Sequence, residues 1–97
     1  MRLQLYTSRA GATDPKLVSL QHPGLTALPT MLVCPMRSEL ALTPLRVNVL
    51  WGGESYVVAC DLIRPISRKV LRPLGELDGR TSQTVIETFL RLLAGND

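Results

Sequence analysis

The sequence predicts a mainly β protein of the α+β class, with five or six short strands forming a small barrel or strongly bent sheet, followed by one C-terminal helix. Three observations carry that prediction. Apolar residues alternate at period two in several short runs before residue 61. A Gly52-Gly53 pair joins two of those runs, the strongest hairpin signal in the chain. From Thr81 the spacing becomes helical, with Val85, Ile86, Phe89, Leu90 and Leu93 forming an apolar stripe.

Taken in order, Leu3 to Tyr6 reads as a half-buried strand, and Ser8 to Pro15, with Gly11, Asp14 and Pro15, as a loop. Leu17 to Leu20 is a short strand ended by Gln21-His22-Pro23-Gly24. Leu28 to Met36 is rich in β-formers. Pro29 and Pro35 are expected to mark its ends, because proline removes a donor from the ladder. Leu45 to Trp51 and Ser55 to Cys60 form the hairpin across the glycines. Pro65 and Pro73 bracket Ile66 to Arg72, read as a strand and then a short turn. Asp78 or Thr81 can cap the start of the helix, and Gly95 can end it.

Composition narrows the function classes. Ninety-seven residues suit one domain spanning 1–97, and a 45% hydrophobic content excludes a disordered chain. Only Tyr6, Trp51, Tyr56 and Phe89 are aromatic, which disfavours a nucleic-acid binder that stacks bases on exposed rings. A net charge of +3 permits an acidic partner without requiring one. The first residues lack a signal peptide's continuous apolar stretch, and no run is long enough to span a membrane. The expected location is therefore the cytoplasm, with no membrane partner. Cys34 and Cys60 both lie in apolar runs and read as buried, reduced thiols.

Chemistry-bearing motifs are few. One histidine and no paired Cys/His cluster argue against a metal centre, and no cofactor is expected. His22 sits in a turn, where it is either solvated surface or an acid–base group of a hydrolytic site. Arg64, Arg68, Lys69 and Arg72 form a basic patch with no acidic residue between Asp61 and Glu76, able to contact phosphates or simply to be solvated. The helix carries more apolar surface than one small sheet needs. The surplus around Phe89, Leu92 and Leu93 points to a subunit interface, most simply a homodimer.

The order of these pieces resembles the toxins of the CcdB and MazF/Kid/PemK superfamily, the poison halves of bacterial toxin–antitoxin pairs. The matching segments are Met1-Arg-Leu-Gln-Leu-Tyr6, Met31-Leu-Val-Cys-Pro35, Val57-Val-Ala-Cys-Asp61-Leu-Ile-Arg64-Pro-Ile66, Leu74-Gly-Glu-Leu77 and the last helix. They run over essentially the whole chain. Length, and Leu17-Val-Ser-Leu-Gln-His22 in place of a valine-rich strand ending in a polar turn, resemble CcdB more closely. The resemblance implies an SH3-like barrel of five to seven strands with a terminal helix. It also implies a homodimer and a small cognate antitoxin.

Both family mechanisms meet departures in this chain. CcdB-like gyrase poisons rely on a C-terminal Trp-Gly-Ile. Here Phe89, Leu92, Leu93, Gly95, Asn96 and Asp97 occupy the corresponding partner-binding end, with Gly95 for the tryptophan and Asp97 for the isoleucine. MazF-like toxins cut single-stranded RNA without metal, using an acid, a base and cations that stabilise the pentavalent phosphate. The Kid-like arginine two residues before the aspartate is Ala59, while Asp61 is kept, and the Arg-Pro opening the second strand is absent, with Lys16 the nearest cation. Three readings follow: a CcdB-like toxin that binds a protein target such as DNA gyrase; a MazF-like endoribonuclease using Asp61 with Arg37, His22 or Arg64; and a non-toxic binding module on the same fold.

Overall fold

A computed structural model of the chain describes residues 2–8, 15–20 and 29–95. Among the described residues, seven strands, β1 (Gln4–Thr7), β2 (Leu17–Ser19), β3 (Thr30–Arg37), β4 (Arg46–Trp51), β5 (Glu54–Ala59), β6 (Arg64–Ser67) and β7 (Arg72–Glu76), precede one α-helix, α1 (Gly79–Ala94). They form a curled antiparallel sheet, a half-barrel, in the order β4-β5-β3-β2-β1-β7, with β6 branching off to pair with β3. The expected mainly β architecture with a terminal helix is thus the observed one.

Alternation explains both layers. Leu3, Leu5, Val18, Cys34, Met36, Val58 and Cys60 turn to the helix side and build the main core with Val85 of α1. Residues of opposite parity, Leu17, Met31 and Val33, form a second small cluster on the other face, covered by Tyr6, Ile66 and Leu71. The β4–β5 hairpin closes on Gly52 and Gly53 with Trp51 opposite Glu54. Both glycines have positive φ, +60° and +82°, which the two-residue turn of a right-twisted hairpin demands.

Three prolines expected at strand boundaries lie within strands instead, Pro65 among them as the second residue of β6. Pro35 lies inside β3 instead of ending it. The Met36 N–H donates toward β2, to the Lys16 carbonyl, so position 35 points its nitrogen to the opposite edge. On that edge the β6 ladder stops at Val33 and the β5 ladder starts at Met36. The missing donor therefore falls in a gap where nothing needs it. Likewise Pro73 does not close off the final strand. It lies within β7, the outermost strand beside β1, where a proline and a bulge between Leu5 and Tyr6 are tolerated at the sheet edge.

The helix begins where Asp78 Oδ1 accepts the Thr81 N–H at 2.7 Å, and Gly95 ends it in the left-handed conformation. Ser82 ties it to β1. Its buried Oγ accepts the Leu3 N–H at 2.9 Å and donates to the Leu77 carbonyl.

Candidate functional site

β3 switches partners along its length, and its far end carries Arg37. Pro35 and Arg37 share the parity of Met31 and Val33, so they emerge on the face away from the helix. Across the ladder, β6 sets Arg64 opposite Val33. Arg37 and Arg64 consequently stand together over two adjoining depressions. One, of about 370 Å³, is lined by Pro35, Arg37, Leu40, Leu62 and Arg64. The other, of about 240 Å³, is lined by Ser8, Lys16, Leu17, Arg37, Arg64, Ile66 and Val70. Lys16 enters because the β2–β3 register, Leu17 opposite Pro35, leads the chain in beside it.

The result is an open groove with an apolar floor and three cations on its rim. Arg37 makes only an exposed 3.7 Å contact with Glu39. Among the described residues, neither Lys16 nor Arg64 forms an ion pair. Such a rim suits a polyanion whose phosphates meet guanidinium forks while its less polar parts rest on Leu40, Leu62 and Ile66.

Asp61 is not part of this groove. It is the middle residue of the 3-10 turn Cys60–Leu62, and its two oxygens accept from Arg46 Nε at 3.0 Å and Nη2 at 3.2 Å. Arg46 also donates to the Ala41 carbonyl, tying down the segment that carries Leu40. The fork on Asp61 holds its carboxyl below the usual carboxylate range, so it stays ionised at neutral pH. The sequence reading missed Arg46. The signal was available: counting back from the glycine turn puts Arg46 opposite Ala59, two residues from Asp61.

The other expected residues are dispersed. His22 lies outside the described residues, as do Asn96 and Asp97. Of the basic patch, Arg64 reaches the groove, Arg68 and Lys69 belong to the 3-10 turn Arg68–Val70 whose Val70 borders it, and Arg72 is exposed on β7. At the helix, Phe89 packs on the core, Leu92 is half-buried, Leu93 is 67% exposed and Gly95 is the cap. Among the described residues, no three His, Cys, Asp or Glu side chains gather to hold a metal ion, and no helix is long and apolar enough to cross a membrane.

No protein-family model and no curated protein matches the sequence. Solved structures match the fold across nearly the whole chain. A chain of an endoribonuclease in complex with its cognate antitoxin, from a mycobacterial species, superposes with a TM-score of 0.73 at 19% identity, covering 95% of this chain and 91% of that one. The Mycobacterium tuberculosis toxin MazF-mt6 gives 0.72 at 17% identity, covering 100% and 99%. A chain of the MazE–MazF complex of Deinococcus radiodurans gives 0.70 at 19%, covering 99% and 92%. The fold is therefore that of the MazF toxins. The closer likeness to CcdB expected from the sequence is not what these structures show.

Proposed function

We propose that this chain is the toxin of a toxin–antitoxin pair and acts as a MazF-like, metal-independent endoribonuclease on single-stranded RNA. The observation that carries the reading is the convergence of Lys16, Arg37 and Arg64 on one groove of a MazF-type fold. The neighbours' own partners, a cognate antitoxin and MazE, support a small antitoxin as this chain's partner as well.

In this reading a ribose 2′-hydroxyl attacks the adjacent phosphorus, the 5′-oxygen departs and a 2′,3′-cyclic phosphate is left. Negative charge builds on the non-bridging oxygens in the transition state. Arg37 and Arg64 stabilise it through bidentate hydrogen bonds, and Lys16 holds a neighbouring phosphate. His22 is the residue assigned to proton transfer. Asp61, committed to Arg46, has a structural role.

The gyrase-directed reading has lost ground. The neighbours named above are MazF structures, and Gly95, standing where the family's tryptophan would be, ends the helix. The test is cleavage of a mixed-sequence single-stranded RNA by purified protein in EDTA. Arg37→Ala and Arg64→Ala should each reduce the rate by about 10²-fold while leaving the melting temperature within a few degrees. Wild-type protein that leaves RNA intact overturns the proposal. Growth arrest on induction with intact RNA and broken DNA would restore the gyrase target, and normal growth would make the chain a non-toxic binding module.

A further inference from the structure

The β3–β5 ladder pairs Met36 with Val58 and Arg37 with Val57. Just past the end of that ladder β5 gives way to the 3-10 turn Cys60–Leu62, and its first residue, Cys60, lies beside Cys34. Both thiols are fully buried and free, on the helix side of the sheet. Cys34 Sγ lies 4.0 Å from the carbonyl oxygen of Cys60, and Cys60 Sγ lies 3.8 Å from the Val85 carbonyl. A disulfide asks for two sulfurs that face each other across a short span, and these two thiols hydrogen-bond to one another.

We propose that Cys34 and Cys60 are an oxidisable pair that closes into an internal disulfide, stapling β3 to the corner between β5 and β6. The oxidant must be small to reach so enclosed a site, and a peroxide is the class that fits. One thiolate attacks a peroxide oxygen, the O–O bond breaks, and a sulfenic acid and hydroxide form. The second sulfur then attacks the sulfenic sulfur, expelling its oxygen as water, so that two thiols and one hydrogen peroxide become one disulfide and two waters. The hydrogen bond between the thiols draws Cys60 down and, with burial, pushes Cys34 up, which makes Cys60 the first nucleophile.

Position gives the staple its consequence. Cys34 precedes Pro35 and Arg37 on β3, and Cys60 precedes Leu62 and Arg64, so the bond joins the two elements that carry the walls of the cationic groove. The pairing itself holds whatever the groove binds.

The full-length protein, treated with hydrogen peroxide at neutral pH, is denatured and alkylated with iodoacetamide. Its intact mass should fall by two hydrogens with no alkyl group added, digestion should yield a peptide pair joined through positions 34 and 60, and dithiothreitol should reverse both. Melting temperature should rise by roughly 10 °C on oxidation. Cys34→Ala should stop at a sulfenic acid on Cys60 that dimedone traps. Should that variant not fold, the wild-type mass decides alone. Full alkylation after peroxide, over-oxidation of either sulfur without a cross-link, disulfides between molecules, a lowered melting temperature, or a cross-link formed only in urea would each overturn the proposal.

Discussion

Arg46 and Asp61 meet with side chains only 17% and 27% exposed, through two parallel hydrogen bonds. The geometry is the planar fork that makes arginine–carboxylate pairs stronger than ordinary surface ion pairs. Because the folded-state pKa of Asp61 lies below its unfolded value, its contribution to stability is full above the unfolded pKa. That contribution disappears as pH falls through the folded value. The melting temperature of Asp61→Asn should therefore fall short of wild type at pH 7, and the gap should close as the pH drops below about 4. A gap unchanged at low pH would mean that the variant's defect is not electrostatic. The same substitution separates structure from chemistry. Under the proposed nuclease reading, Asp61→Asn should still cut RNA at close to the wild-type rate well below its melting temperature, whereas Arg37→Ala should be slower by about 10²-fold.

At the scale of elements, α1 and β7 are the instructive cases. Val85, Phe89 and Leu93 follow one another along the same face of the helix at four-residue steps. Val85 is fully buried and Phe89 packs on the core, yet Leu93 is 67% exposed and Leu90 55%. The sheet thus stops covering the helix before its last turn, and the apolar surplus read from the sequence resides there. If that surplus is a homodimer contact, light scattering at tens of micromolar should report twice the chain mass, and Leu93→Asp should return it to the monomer. A monomeric wild type would refute this. The sequence pattern places a strand and then a short turn between Pro65 and Pro73 and assigns no strand to Arg72-Pro73-Leu74-Gly75-Glu76, which carries both strand-breaking residues. That segment is nevertheless a strand, and Gly75 has a packing reason to be glycine. A Cβ there would meet the Trp51 ring at 3.1 Å, while the Trp51 indole N–H donates to the Glu76 carbonyl.

Across the whole molecule, the curl of the sheet gathers three cations from positions 16, 37 and 64. Their spacing in sequence carries no hint of proximity; the antiparallel registers of β2 and β6 on either side of β3 create it. Binding of single-stranded RNA through three such contacts should weaken with salt, the slope of log K against log salt being about −2. Lys16→Ala should flatten that slope by about 0.7. A slope unaffected by all three alanine variants would place the RNA elsewhere on the surface.

Local physics made much of the protein legible in one dimension. Period-two alternation, the Gly52-Gly53 turn, the Asp78 cap and the Gly95 stop all act over a few residues, so strands, hairpin and helix could be read directly. Five or six strands and one terminal helix follow from them, where the described residues hold seven strands. What the local pattern could not carry was any fact that depends on which strand lies beside which. Pro35 inside a strand, Arg46 on Asp61, Cys34 against Cys60, and Lys16 beside Arg37 and Arg64 are all set by long-range pairing. Register is a property of two strands together, and a one-residue slip would have sent each of these side chains to the other face.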